Sequence, residues 1–140
     1  MRRATMIEVV IADHQDLFRI GIAEVLAATG EVRIAGQVQS SAQLLNTLKQ
    51  AKPHVLILST SLLPALPKIE QLLEQRQTAL LLLAEENDKA AYFQWLRIHG
   101  IVYRSMDEPA LVDAVRRVAR GELFVQERTS DERDDASEVA

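Results

Sequence analysis

The chain has 140 residues, of which 48% are hydrophobic and 26% are charged, and its net charge is −4. This length suits one globular domain with a sizeable core. The absence of cysteine excludes disulfides and thiolate metal sites, and the apolar runs are far too short to span a membrane. The amino terminus lacks the apolar stretch of a secretory signal. We therefore expect a cytoplasmic protein with no membrane partner.

Charge separates the end of the chain from the rest. The last fourteen residues hold six acidic and two basic side chains, so they carry the whole net charge of the chain. They have almost no large apolar side chain, and such segments rarely fold. We predict one folded domain over residues 1–126 and an acidic disordered tail or linker over 127–140. Because the folded part is neutral, its charge gives no reason to expect direct DNA binding.

Five short apolar runs predict the strands of a sheet. Several are apolar on both faces, as the central strands of a parallel sheet must be. The second run is the weakest and is typical of an edge strand. In chain order the runs are 7-IEVVI-11, 34-IAGQV-38, 55-VLIL-58, 79-ALLLLA-84 and 101-IVY-103.

Helical patterns follow each of the five runs and have recognisable ends. The predicted boundary residues are Asp16 and Gly30 for the first helix, Ser40 with Gln43 for the second, Pro67 for the third, Asn87 for the fourth, and Pro109 with Gly121 for the last.

This alternation predicts an α/β fold, in which parallel strands joined by right-handed crossovers form a doubly wound sheet with helices on both faces. Such folds bind their ligands at the carboxyl ends of the strands. The residues expected at that edge are Asp13, His14, Ser59, Thr60, Ala84, Glu85 and Arg104.

Two segments of the sequence resemble a known family. VVIADHQDLFRIGIAEVLAATGEVRIAGQVQSSAQLL resembles the opening of receiver domains of NarL/FixJ-type (LuxR-family) response regulators, and DEPALVDAVRRVARGELFV resembles their last helix. The resemblance covers about residues 7–125. It implies a flavodoxin-like (βα)5 fold with strand order 2-1-3-4-5. It also implies phosphotransfer from a histidine kinase to an aspartate with Mg²⁺, and a C-terminal helix-turn-helix domain for DNA that this chain does not contain.

The phosphorylation site of that family is matched at only one position. On the resemblance, the first of two acidic residues falls on Asp13, the second on His14, the phosphoacceptor aspartate on Ser59, the switch hydroxyl on Ala84, the lysine on Arg104, and the coupling aromatic residue on Ile101, with Tyr103 nearby.

These replacements remove the chemistry of aspartyl phosphorylation. A serine hydroxyl is not ionised at neutral pH unless a base activates it. Mg²⁺ prefers oxygen ligands in octahedral geometry, and one aspartate beside His14 is a poor site for it. Arg104 keeps the charge of the lysine without its compact ammonium group. We predict a pseudo-receiver with no catalytic residue, no cofactor, and weak or absent Mg²⁺ binding.

Catalytic, metal-binding and DNA-binding roles for residues of this chain are less favoured. Ser59 lacks the G-x-S-x-G context of a nucleophile that His14 and Asp13 would activate, and neighbouring side chains tend to point apart. Asp13, His14 and Glu85 offer nitrogen and oxygen ligands for a transition metal, but their spacing in the sequence matches no known family of metal sites. The arginines near the end of the last helix complement its dipole and are expected in solvent. They are Arg116, Arg117 and Arg120.

Three functions remain open, and the first is a non-enzymatic signal receiver of a transcriptional regulator, controlled by dimerisation, a partner or a ligand. The second is phosphorylation of Ser59, or of a hydroxyl next to it, by a Ser/Thr kinase. The third is a small flavodoxin-like enzyme or nucleotide binder, but the chain has neither a P-loop nor a G-x-G-x-x-G motif.

We expect Arg104 to form an internal pair with Asp13 or Glu85, because these acids lie nearest in the predicted topology. We also expect a homodimer, which a histidine kinase or another regulatory protein could control. Its predicted surface combines the outward residues Arg19, Glu24, Arg116 and Arg120 of the first and last helices, with Tyr92 and Trp95 as a competing patch.

Overall fold

The computed structural model describes residues 5–88 and 97–125. In these ranges six parallel strands form one sheet in the order β2-β1-β3-β4-β5-β6. The strands are β1 (Ile7–Ala12), β2 (Val32–Val38), β3 (Val55–Ser59), β4 (Ala79–Ala84), β5 (Gly100–Tyr103) and β6 (Phe124–Val125). The helices are α1 (Asp16–Ala27), α2 (Ser41–Gln50), α3 (Leu66–Arg76) and α4 (Glu108–Ala119), and a 3₁₀ helix covers Thr60–Ala65.

The predicted fold is confirmed. The order 2-1-3-4-5 and the edge position of the second strand are as expected from the sequence. The sixth strand was not predicted, because two residues carry too little pattern to be read as a strand. It adds a short parallel pairing outside β5.

Both faces of the sheet are buried. In β1, Val10 packs into a cluster with residues of α2 and α3, whereas the adjacent Val9 packs with residues of α1 and α4. Alternate side chains of a strand point to opposite faces. Because each face has its own helical layer, the strands are apolar throughout rather than alternating.

Side-chain caps define the starts of α2 and α4. Ser40 caps α2 by accepting a hydrogen bond from the Gln43 amide at 3.3 Å. Asp107 caps α4, and Pro109 lies in the first turn of this helix, as predicted for the proline. Asp16 was predicted to cap α1 and does not: Gln15 occupies that position without a side-chain bond, and Asp16 lies within the first turn. The prediction was wrong by one residue. Asp16 nevertheless places a negative charge at the start of the helix, where it is favourable.

Two predicted segments lie largely or wholly outside the described residues. They are the helix after Asn87, which includes Trp95, and the acidic tail 127–140. Over the described ranges, no helix combines the length and the apolar character that crossing a bilayer requires.

Candidate functional site

A network of charged and hydroxyl side chains lies at the carboxyl ends of β1, β3, β4 and β5. Asp13 follows β1, Ser59 ends β3, Glu85 follows β4 and Arg104 follows β5. Parallel strands deliver these residues to the same edge of the sheet, as expected from the sequence.

Arg104 is the centre of this network. Its Nη1 donates to Asp13 Oδ2 at 2.8 Å, and its Nη2 donates to Asp13 Oδ1 at 2.7 Å. The same Nη2 donates to Ser59 Oγ at 3.1 Å, and Nε donates to Glu85 Oε1 at 2.5 Å. Its guanidinium also lies 4.7 Å from the centre of the Phe18 ring. The predicted internal arginine–carboxylate pair is therefore present, with both candidate acids engaged.

The pair is well shielded from solvent. Asp13 is fully buried and the side chain of Arg104 is 11% exposed. Burial tends to raise the pKa of Asp13, but the hydrogen bonds and charge of Arg104, with the Gln15 amide, outweigh it and hold that pKa below its usual value. The hydrogen bonds of Asp13 raise the pKa of Arg104 against the effect of burial. Both groups are therefore charged at neutral pH.

A chain of hydroxyls connects Arg104 to the surface. Ser59 Oγ accepts hydrogen bonds from Arg104 and from the Ser61 amide, the latter at 3.2 Å. Its own proton is then directed to Ser61 Oγ, 2.9 Å away. Ser61 Oγ lies 2.7 Å from His14 Nδ1, to which it can donate. Ser61 was not singled out in the sequence, although the hydroxyl run 59-STS-61 was its signal.

A Ser-His-Asp arrangement is not formed at this edge. His14 contacts Ser61 rather than Ser59, and the same Nδ1 atom lies 3.4 Å from Asp13 Oδ1. A catalytic histidine needs its acid on one ring nitrogen and its nucleophile on the other. The expectation that Asp13 and His14 point apart was wrong, since the chain turns sharply after β1 and both face the network.

The network does not suit a metal ion. Both Asp13 oxygens accept hydrogen bonds from Arg104, and the neighbouring position is His14 rather than a second carboxylate. Among residues 5–88 and 97–125, no group of three His, Cys, Asp or Glu side chains could hold a metal. The octahedral oxygen shell of Mg²⁺ would have to displace the guanidinium from Asp13.

The two predicted switch positions lie below this network. Ala84, the last residue of β4, pairs in register with Tyr103, whereas Ile101 pairs with Leu82. All four are buried on the same face of the sheet. The residue paired with Ala84 on β5 is therefore the aromatic Tyr103 and not Ile101, because the strand register decides which residues lie side by side.

Asp88 and Arg19 also hold the edge of the sheet together, and the sequence did not indicate either role. Asp88 Oδ2 accepts from Thr60 Oγ1 at 2.9 Å and from the Glu85 amide at 2.8 Å. Arg19 donates to the Asp13 carbonyl at 2.7 Å. Arg19 was predicted to point outward, but only 12% of its side chain is exposed.

Comparison with known proteins indicates what kind of domain carries this network. The chain is 26% identical over 130 residues to the transcriptional regulatory protein YxjL of Bacillus subtilis (strain 168), and 22% identical to the regulator DegU of Brevibacillus brevis. Each alignment covers 89% of this chain but only 59% and 55% of those proteins. The chain thus spans little more than half the length of these relatives. No family model matches the sequence.

Solved structures agree with the fold. The non-phosphorylated receiver domain of RcsB from Escherichia coli has a TM-score of 0.76 and 25% identity, covering 88% of this chain and 99% of that one. A structure of two RcsB dimers bound to two parallel DNAs has a TM-score of 0.77 and 24% identity, covering 91% of this chain and 67% of that one.

The fold is thus that of a response-regulator receiver domain. Among such domains, the similarity is to receivers of the NarL, RcsB and DegU type. The matched proteins are regulators rather than enzymes, as predicted for this chain.

Proposed function

We propose that this chain is the signal-receiver module of a response-regulator-type transcriptional regulator, and that it works without aspartyl phosphorylation. The observation that carries this proposal is the bidentate pair between Arg104 and Asp13. The matched relatives are longer than this chain, which leaves room in such a regulator for the DNA-binding domain that the resemblance implies.

The pair occupies the groups that phosphotransfer would need. Phosphoryl transfer depends on positioning and on stabilising charge at the transferred group. Here the guanidinium is already neutralised by Asp13 and also bonded to Glu85, so it has little charge left for a phosphoryl oxygen. Ser59, at the proposed phosphoacceptor position, is a fully buried neutral hydroxyl. Ala84, at the proposed switch position, has no hydroxyl to follow a phosphate.

The test is to incubate the whole chain with a small phosphodonor and Mg²⁺ and to measure its intact mass. We expect no adduct that hydroxylamine removes. A matched control restores the family residues by combining His14→Asp, Ser59→Asp and Arg104→Lys in one chain, which should form the labile adduct. A hydroxylamine-labile phosphate on the unmodified chain would refute the proposal, with Asp13, Asp16 and Glu85 the first residues to examine.

A second candidate function is phosphorylation of a hydroxyl at this edge by a Ser/Thr kinase. One observation favours Ser61 over Ser59: Ser61 is exposed and contacts His14, whereas Ser59 is buried. This mechanism predicts an adduct that survives hydroxylamine. Ser61→Ala should then abolish it, and Ser59→Ala should not. The same mass measurement, made after incubation with a Ser/Thr kinase and ATP in place of the small phosphodonor, therefore tests this mechanism separately from the first.

The proposed output is dimerisation, in keeping with the RcsB dimers seen on DNA. Of the predicted surface, Glu24, Arg116 and Arg120 are exposed, and Arg116 pairs with Glu31 at 2.6 Å. The first helix also presents Leu17, 88% exposed, and Ile20, 47% exposed. Apolar anchors contribute more binding energy than rim charges, so Leu17 and Ile20 strengthen the case for this surface.

The dimer should form without phosphodonor or Mg²⁺, which sedimentation can measure. Leu17→Ser should weaken it more than Arg116→Glu. The competing patch at Tyr92 and Trp95 lies outside the described residues, and Trp95→Ala tests it separately. A chain that stays monomeric at millimolar concentration would exclude self-association as the mechanism, leaving a partner protein to carry the signal.

A further inference from the structure

The segment after α4 returns to the sheet by a tight turn. Gly121 has a φ angle of 86°, which is favourable only for glycine, and its amide donates to the Val118 carbonyl at 3.0 Å. The Glu122 amide donates to the Arg117 carbonyl at 3.0 Å. The chain then runs as β6 alongside β5, where the Phe124 amide donates to the His99 carbonyl at 3.0 Å.

This pairing depends on a glycine in β5. A Cβ atom at Gly100 would lie 2.8 Å from the Phe124 carbonyl oxygen and 2.8 Å from Leu81 Cδ1. It would also lie 3.0 Å from Val118 Cγ1. The first neighbour is backbone, which cannot move aside as a flexible side chain can. The position of β6 therefore requires that residue 100 has no side chain.

The attachment of β6 is shallow. Within residues 97–125, two residue pairs join it to β5, Gly100 with Phe124 and Ile101 with Val125. The Phe124 ring is half-buried with Arg117 6.0 Å from its centre, while the side chains of Leu123 and Val125 are exposed. A strand held by so few contacts opens at low free-energy cost compared with the rest of the sheet.

The strand β5 touches this attachment at one end and the charged network at the other. Gly100 starts the strand under Phe124, and Arg104 follows its last residue. The Arg104 amide donates to the Ala84 carbonyl at 3.1 Å, and its side chain binds Asp13, Ser59 and Glu85. The strand spans only about 13 Å at the usual rise of extended chain. A shift of β5 that accompanies a change at Arg104 would change the gap in which β6 lies.

We propose that β6 is a releasable exit strand, and that the Arg104 network sets how firmly it is held on β5. The inference rests on the proposed function, since it supplies the route from the altered phosphorylation site to the chain beyond Val125. When β6 is paired, β5 fixes the position and direction of the chain at Val125. When β6 is released, that constraint is lost.

Hydrogen exchange on the full 140-residue chain tests the attachment, with the Phe124 amide, which donates to the His99 carbonyl, as the reporter. Gly100→Ala should speed its exchange by about tenfold or more, because the added methyl displaces β6. Gly21→Ala is the matched control, because a Cβ at Gly21 meets nothing within 4 Å. It should leave the reporter unchanged. Equal exchange in Gly100→Ala and the unmodified chain would overturn the proposal.

The coupling is tested from both ends. Arg104→Gln should speed exchange at Phe124 while the central amides of β1 and β3 stay protected. Phe124→Pro removes the amide that bonds to His99 and should in turn speed exchange at the Arg104 amide, since coupling between two sites is reciprocal. Phe124→Pro also serves if Gly100→Ala unfolds the whole domain. If neither variant changes exchange at the other end, β6 is not coupled to the network.

These results are independent of the phosphodonor experiment. A hydroxylamine-labile phosphate on the unmodified chain would refute phosphorylation-independent function. It would not change what the exchange measurements show about β6. Conversely, uncoupled exchange with no phosphate adduct would refute only the exit-strand inference.

Discussion

The two ends of the parallel sheet satisfy their polar groups by different means. At the carboxyl end, the buried carboxylate of Asp13 is matched by the charge of Arg104. At the amino end, neutral groups do this work: His99 Nδ1 accepts from the Leu80 amide at 2.9 Å, and His54 Nδ1 accepts from the Glu8 amide at 2.9 Å. Thr78 Oγ1 donates to the Pro53 carbonyl at 2.8 Å.

The difference shows how this fold tolerates a changed site. Each histidine also donates its own backbone amide to the neighbouring strand, so it extends the ladder by one reciprocal pair. This end requires only shape and neutral donors and acceptors. The carboxyl end holds opposite charges out of water, an arrangement that is costly to break from one side. Every buried side-chain nitrogen and oxygen in the described part of the chain has a partner.

The largest expected effect is at the charged end. Arg104→Ala leaves Asp13 buried without a counter-charge and should lower the free energy of unfolding by about 3–5 kcal/mol. Urea unfolding followed by circular dichroism measures this. Arg117→Ala is the control, because its pair with Asp113 is half-exposed and should contribute less than about 1 kcal/mol. Equal losses in the two variants would show that the Arg104 pair contributes no more to the free energy of unfolding than an exposed pair does.

Acid should weaken the same end through Asp13. Its pKa is lowered in the folded state, so its contribution is present above the ordinary value of 3.8 and is lost as pH falls from there through the folded pKa. Asp13→Asn cannot titrate. The difference in free energy of unfolding between the native chain and this variant should therefore shrink as the pH falls below that value. A difference that stays constant down to the acid limit would contradict the lowered pKa.

At the neutral end, removing one histidine should cost less. His99→Ala leaves the Leu80 amide without its acceptor, which costs about 1–3 kcal/mol when the group is shielded from water. His54→Ala should cost less, because the His54 side chain is exposed and water can replace it. Thermal unfolding of both variants gives the order, and a larger loss at His54 would reverse this interpretation.

The smallest effect in the series is at Thr78. Thr78→Val keeps the shape of the side chain and removes one hydrogen bond to Pro53, with an expected loss of about 1 kcal/mol. Because no charge is involved, this loss should not change with salt, whereas the loss in Arg117→Ala should shrink as salt screens the exposed pair. Salt sensitivity at Thr78 would show that the two ends are not distinct in the way described.

Sequence pattern alone determined the sheet and the place of the site. Buried parallel strands must be apolar on both faces, so they can be recognised as apolar runs without any tertiary information. Strand direction then put Asp13, Ser59, Glu85 and Arg104 at one edge, and local caps such as Ser40 were predicted because their bonds span only a few residues. Charge chemistry further indicated that Arg104 would find an acid at that edge.

Only the tertiary structure decided how those residues meet. The two hydrogen bonds between Arg104 and Asp13 join residues that are 91 positions apart in the sequence. No local pattern encodes such geometry. The choice of Ser61 as the partner of His14, the inward turn of Arg19 and the place of Tyr103 beside Ala84 depend on strand register and on loop paths. The same holds for β6, whose two residues pair only because Gly100, far earlier in the chain, leaves room for a carbonyl oxygen.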